Sequence, residues 1–220
     1  MVIRKKIILS MLLTLVCTHL SGFKMPQTEL IYNSWNIEPQ DPIPTVRFGT
    51  NDYGYTVLNC GLIKQWNTGK SIALDDFHGR IEKFRIYHVD TTLYFVLNLT
   101  NGEDGCGGII KIDEKQFKKI WSQEIPAFNI GEPYFEEFSV YVTGIGFIGK
   151  LDTKTGVYLW KHVDLYRGNH FNSFEKPFKH KGRIIFIENP IKNNKDNKYQ
   201  IEINAVNGQY KIEKAERTAY

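Results

Sequence analysis

From residue 46 onward the apolar positions come in short runs of four to six residues, bounded by Gly, Asn and Asp, with no sustained spacing of an amphipathic helix. The runs are Tyr55–Leu58, Phe84–Val89, Thr92–Leu97, Gly108–Ile112, Phe138–Thr143, Val157–Trp160, Arg183–Ile187 and Tyr199–Ile203. They are rich in β-branched and aromatic side chains, which fit a pleated, half-buried surface. The pattern predicts an all-β chain of many short strands: a sandwich, a barrel or a propeller.

The first residues follow another logic. Arg4, Lys5 and Lys6 precede a ten-residue, largely apolar stretch from Ile7 to Val16, and the small residues Ser21 and Gly22 stand where an export signal is cleaved. Residues 1–22 are therefore expected to be a signal peptide, with the mature protein periplasmic or secreted. So short a stretch barely reaches across a bilayer, so no stable membrane span is expected after cleavage. Cys17 raises the alternative of a lipid anchor, but Thr14-Leu15-Val16 lacks the small residue that such processing needs before the cysteine. Residues 23–45 are polar and carry Pro39, Pro42 and Pro44, which reads as an extended lead-in. The globular domain is placed at residues 46–220.

Within that domain one pattern repeats. Leu151-Asp152-Thr153-Lys154-Thr155-Gly156-Val157-Tyr158-Leu159-Trp160 reads as strand, tight turn, strand. Asp152 and Thr155 can accept hydrogen bonds from turn amides, Gly156 supplies a left-handed conformation, and Trp160 is a large apolar wedge. The same skeleton runs from Asp113 to Trp121, again eight residues apart and 39 residues earlier. Weaker copies at Gln65-Trp66-Asn67-Thr68-Gly69 and Asn204-Ala205-Val206-Asn207-Gly208 give spacings of 48, 39 and 52. Units of roughly 40 to 50 residues match four-stranded propeller blades.

On these residues the chain resembles the PQQ-like (quinoprotein-type) β-propeller repeat, whose strands read aliphatic-x-Asp-x-x-Thr-Gly-x-x-x-Trp. The resemblance implies an all-β fold, a small propeller of about four blades, closed or open. Gln116-Phe117 replace Thr-Gly in the second copy, and Ala73 and Ile212 replace the Trp in the first and fourth. At those places turn and wedge must be achieved by other means. Quinone-carrying relatives are usually eight-bladed and much longer, so the resemblance does not imply that cofactor, and none is expected.

Charge adds little. The 220 residues carry 28 Lys and Arg against 24 Asp and Glu, and without the three basic residues of the signal the balance is 25 to 24. No electrostatic case for nucleic acid or an anionic membrane remains. Beyond Cys17 there are two cysteines, Cys60 and Cys106, which allow one disulfide in an oxidising compartment or two separate thiols. No His stands three to five residues from either cysteine or from another His, so no zinc site is expected. Gly144-Ile145-Gly146-Phe147-Ile148-Gly149 matches a dinucleotide string, yet a turn rather than a helix follows it, so it reads as a hairpin. Asn98-Leu99-Thr100 is a formal glycosylation triplet.

Function is read from position. Segments at the same phase of successive repeats share one end of a propeller, so the connections after Trp121 and Trp160 should lie together. The first holds Phe128, Glu132, Tyr134, Phe135, Glu136 and Glu137; the second holds Tyr166, Arg167, His170, Phe171 and Phe174. Aromatic residues with interspersed charge are typical of protein-binding surfaces. The expected partner is another protein, bound by Phe128, Glu132, Tyr134, Tyr166, Arg167, His170 and Phe171. The chain is read as non-enzymatic, either an envelope scaffold or an immunity protein that blocks a toxin. A propeller enzyme, quinoprotein-like or hydrolytic, and a carbohydrate- or metal-binding propeller are the alternatives.

Overall fold

The computed structural model describes residues 25–33, 46–49, 54–58, 62–65, 68–73, 77, 79–100, 105–165, 173–189 and 199–214. Among them every regular element is a strand, and no helix is long and apolar enough to cross a membrane. The expected signal, Cys17 and Cys60 lie outside the described residues.

Strand β1 (Thr28–Asn33) comes first, and four antiparallel meanders follow in chain order. Sheet 1 holds β2 (Val46–Gly49), β3 (Gly54–Leu58), β4 (Leu62–Gln65) and β5 (Ser71–Ala73). Sheet 2 holds β6 (Arg80–Val89), β7 (Thr92–Thr100), β8 (Gly105–Asp113) and β9 (Lys118–Ile125), with β1 added beside β6. Sheet 3 holds β10 (Tyr134–Glu136), β11 (Ser139–Gly144), β12 (Phe147–Asp152) and β13 (Tyr158–His162). Sheet 4 holds β14 (Phe178–His180), β15 (Arg183–Ile187), β16 (Tyr199–Asn204) and β17 (Tyr210–Lys214).

The sheets stack through three apolar seams. Ile63 and Ile72 of sheet 1 meet Phe84, Ile86, Phe95 and Ile110 of sheet 2. The other face of sheet 2, with Tyr94, Val96, Ile109 and Trp121, meets Val140, Val142, Phe147 and Leu151 of sheet 3. Tyr141 and Ile148 of sheet 3 then meet Ile184, Phe186, Ile201 and Ile203 of sheet 4. Alternation along the strands of sheets 2 and 3 thus feeds two different seams, which is why β7 and β11 are buried along nearly their whole length. Successive four-stranded meanders joined face to face form a β-propeller. The three buried clusters of the described residues join sheets 1 to 2, 2 to 3 and 3 to 4.

The repeated turn is the joint between sheets. In sheet 3, Asp152 Oδ1 accepts hydrogen bonds from Thr155 N (2.7 Å), Thr155 Oγ1 (2.9 Å) and Lys154 N (2.9 Å). Those donors hold its carboxyl below the usual carboxylate range. Gly156 has φ of 74°, and its missing Cβ leaves room for Trp121 of sheet 2. The Trp121 indole donates to Thr153 O (2.9 Å), and Lys111 Nζ donates to the same carbonyl (2.9 Å). One sheet onward the pattern recurs: Trp160 covers Gly208, and Lys150 Nζ donates to Ala205 O (2.7 Å). Each lysine lies between a cross-strand tyrosine and tryptophan, in the rows Tyr94–Lys111–Trp121 and Tyr141–Lys150–Trp160.

A β-bulge aims each wedge. In β9 the register slips between Lys111 and Ile112, and in β13 between Lys150 and Leu151. The extra residue in each case, Ile120 or Leu159, is turned to solvent at 46% and 53% exposure. A one-residue slip exchanges the faces of a strand, so the bulge places Trp121 and Trp160 on the side of the following sheet.

The departures from the repeat have a consistent cause. Sheet 1 has Ala73 at the wedge position, and sheet 2 answers with Phe117 where glycine would stand. Phe117 keeps the left-handed turn, with φ of 48° against 67° to 74° at Gly69, Gly156 and Gly208. Its ring is buried in the first seam. A left-handed non-glycine costs about 1–2 kcal/mol, and burying a phenylalanine returns about 1.5–3 kcal/mol. Sheet 4 has Glu202 where Lys111 and Lys150 stand and Ile212 at the wedge position. Glu202 instead pairs with Lys211 at 3.0 Å, which solvates the far face of that sheet.

Candidate functional site

In an up-and-down sheet, the connection from one sheet to the next shares an end with the turn between second and third strands. The hydrogen bonds show this directly. Ile145 N, in the turn between β11 and β12, donates to Phe128 O (2.8 Å) of the connection after β9. In the same turn, Gly146 O accepts from Leu165 N (2.9 Å) of the connection after β13. Both connections are therefore pinned to one hairpin, and Gly146 permits it with φ of 65°.

Residues 126–133 form a firm platform. Asn98, at the end of β7, receives Asn129 N on its Oδ1 (2.9 Å) while its amide donates to Glu82 (2.9 Å). It is 2% exposed, so the asparagine of the formal Asn98-Leu99-Thr100 triplet is buried in the folded chain. Gly131 N donates to Thr143 O (3.0 Å). Glycines of β8 give the loop its seat: Phe128 lies over Gly105 and Ile130 over Gly107. Phe77, from the connection entering sheet 2, sits likewise on Gly108.

Beneath the platform lies a buried polar cluster that the apolar pattern of β6 conceals. Arg85 Nη1 donates to Ile130 O (3.0 Å) across the second seam. Burial lowers the affinity of its guanidinium for its proton, opposed by the charges of Tyr87 and Glu132. Burial raises the Tyr87 phenol far above its ordinary range. Among the described residues, neither the Tyr87 hydroxyl nor Thr143 Oγ1 has a hydrogen-bond partner. These residues were not expected from sequence. The signal available was an arginine inside the aliphatic run Phe84–Val89.

The expected binding residues divide into surface and core. Phe128 is 39% exposed on its glycine seat. Glu132 is partly exposed and lies 4.0 Å from Lys176, which belongs to the next connection. Tyr134 is half-buried, packs against the third seam, and stands 5.9 Å ring to ring from Tyr141. Phe135 and Phe174 are buried in the seams. Glu136 accepts from the Tyr141 hydroxyl (3.0 Å) and from Lys179 (2.7 Å). Tyr166, Arg167, His170 and Phe171 lie outside the described residues, between two pinned points: Leu165 on Gly146, and Ser173 accepting from Asn189 N (2.9 Å). Cys106 is half-buried on β8 against the first seam, and burial raises its thiol. Its proposed disulfide partner is not described. Among the described residues no group of three or more His, Cys, Asp or Glu side chains could hold a metal ion.

No protein-family model matches the chain, and no curated protein does. Among solved structures it is similar to the quinohemoprotein alcohol dehydrogenase of Comamonas testosteroni, at 16% identity and a TM-score of 0.43, over 57% of this chain and 19% of that one. A europium-containing methanol dehydrogenase matches at 15% identity and a TM-score of 0.42, over 61% and 24% of the two chains. The quinohemoprotein alcohol dehydrogenase ADHIIG of Pseudomonas putida HK5 matches at 10% identity and a TM-score of 0.44, over 83% and 35%. The chain thus spans about a fifth to a third of the length of these structures.

Proposed function

We propose that this chain is an exported, non-enzymatic propeller that binds another protein through the end formed by its sheet-to-sheet connections. The observation that supports it is the shared hairpin: Ile145 and Gly146 tie the connection bearing Phe128 and Glu132 to the one bearing Tyr166, Arg167, His170 and Phe171. A loop held by hydrogen bonds at Phe128, Asn129 and Gly131 loses little conformational freedom on binding, which favours affinity. The partly exposed Phe128 ring and the Glu132–Lys176 pair supply an apolar anchor beside charge. Binding would act by steric occlusion or by scaffolding, and an envelope scaffold and a toxin-blocking immunity protein both use a surface in this way.

The test begins with chemical cross-linking of the exported protein in its own cells to identify the partner. Affinity is then measured for the purified pair with Phe128→Ser and with Tyr166→Ala/Arg167→Ala, each checked for a native melting temperature. Loss of at least about tenfold in Kd is expected, equivalent to about 1.4 kcal/mol. Full affinity in both folded variants would place the binding surface elsewhere.

A further inference from the structure

The near balance of charge in the whole chain conceals a division between the two ends of the array. The sheet-to-sheet connections share one end with Ile145 and Gly146. The turns between first and second strands, and between third and fourth strands, share the other. Hydrogen bonds join those turns from sheet to sheet. Lys70 Nζ, just before β5, donates to Gln116 O (2.9 Å) in the β8–β9 turn, Lys111 Nζ to Thr153 O in the β12–β13 turn, and Lys150 Nζ to Ala205 O in the β16–β17 turn. Within sheet 3, Thr153 N donates to Phe138 O (3.1 Å) and Thr153 Oγ1 to Glu137 O (3.1 Å), which ties the two turns of that sheet together.

The most exposed large apolar side chains of the described residues stand on these turns: Val206 at 86%, Val157 at 60% and Phe138 at 59%. Turns favour Gly, Asn, Asp and Pro, and an exposed valine there stabilises nothing within the chain. The tips are nonetheless firmly built. Asn204 Oδ1 accepts from Val206 N (2.9 Å), Asn204 O accepts from Gly208 N (2.9 Å), and Val157 O accepts from Asp152 N (3.0 Å). Turn groups already bonded within the chain can leave water without losing hydrogen bonds.

Around the tips the exposed charge is mostly positive: Lys115, Lys118, Lys154 and Lys181, against Asp90 and Glu137. Asp113, Glu114 and Asp152 of the same turns are half-buried, held by Gln116 N, by His88 and by the amides of Lys154 and Thr155. The chain also enters the fold at this end, where Gln27 bonds Asp90 of the β6–β7 turn, so the apolar stretch Ile7–Val16 of the expected export signal leads into the same end.

We infer that this end docks on an anionic lipid surface, inserting Val206, Val157 and Phe138 among the headgroups while the lysines pair with lipid phosphates. Apolar insertion and basic charge are each weak anchors, and together they hold a protein at a membrane. Nucleic acid would attract the lysines too, but it would leave the two valine tips in water. The protein-binding end then faces away from the membrane, and the inference does not rest on that end.

The test measures co-sedimentation of the protein, in the form its cells export, with vesicles of phosphatidylcholine alone and of equal parts phosphatidylcholine and phosphatidylglycerol. At about 0.1 M salt, partition to the anionic vesicles at least about tenfold above the neutral ones is expected. Val157→Ser/Val206→Ser and Lys154→Gln/Lys181→Gln change exposed side chains only and should keep the native melting temperature. Each should weaken partition by at least about fivefold. Equal binding to neutral vesicles, undiminished partition in both folded variants, or binding to duplex DNA without binding to vesicles would overturn the inference.

Discussion

The turn glycines show how one missing methyl group sets the geometry of a seam. Gly69 and Gly156 share the left-handed conformation, at φ of 67° and 74°, but differ in what faces them. A Cβ on Gly69 would meet nothing within 4 Å, whereas one on Gly156 would come within 2.6 Å of the Trp121 ring. Gly69→Ala should therefore cost only the backbone strain, about 1–2 kcal/mol. Gly156→Ala should add overpacking of about 1–3 kcal/mol, because an indole held by its bond to Thr153 O and by the core cannot step aside. Urea midpoints of the two variants measure the difference, and equal losses would mean that the wedge is not rigid. Gly156 and Trp121 were both legible in the sequence, since Asp-x-x-Thr-Gly and a distant Trp have few other uses. Lys111 and Lys150 were not singled out, although both stand two residues before the turn aspartate. A lysine in a strand ordinarily signals a solvated face, and only the packing shows these two reaching the carbonyls of the next sheet.

At the scale of elements, the central strands were readable and the edges were not. β7 and β11 are apolar because both faces are covered, and β16 alternates with Ile201 and Ile203 buried, whereas β2, β5, β10, β14 and β17 are short outer or inner strands with mixed composition. The bulges were invisible for a sharper reason. Asp113 to Trp121, Asp152 to Trp160 and Gln65 to Ala73 all span eight residues, yet β5 pairs with β4 without a slip, Ala73 opposite Leu62. Position 73 therefore shares a side with Leu62 and not with the seam-facing Ile63. Phe117→Gly should destabilise the chain by about 2 kcal/mol, the loss of a buried ring less the relief of its left-handed strain. Adding Ala73→Trp should not restore that loss, even though it completes the sequence repeat, because an unbulged β5 aims the indole away from the seam. Calorimetry of the single and double variants decides this. Recovery in the double variant would show that the wedge needs only its place in the sequence.

Across the whole molecule the seams share a chemistry that makes the array sensitive to alkali. Tyr87, Tyr94 and Tyr158 lie in or against the second seam and Tyr141 in the third. Burial raises each phenol well above the ordinary tyrosine value of about 10. In the unfolded chain these groups ionise near pH 10 and in the folded chain they do not, so above that pH the unfolded state binds fewer protons and stability falls. Each such phenol contributes about 1.4 kcal/mol per pH unit once its unfolded form has titrated. Three or four together amount to about 8–17 kcal/mol over roughly two to three units, comparable to the usual 5–15 kcal/mol of a folded domain. Lys111 and Lys150 act oppositely but earlier. Burial lowers both, so the unfolded chain holds their protons up to about pH 10.5 and their contribution rises with pH only below that point. Stability should accordingly hold or rise slightly to about pH 10 and then collapse by about pH 12–13. Circular dichroism follows the sheets, tryptophan fluorescence of a Trp35→Phe/Trp66→Phe variant reports on Trp121 and Trp160 in the second and third seams, and phenolate absorbance counts the tyrosines released. Coincident transitions in all three would show that the sheets unfold as one body through their seams. Normal titration of these phenols near pH 10 in a chain that stays folded would mean that the seams admit water, and the joint of lysine, tryptophan and turn carbonyl would lose its physical basis.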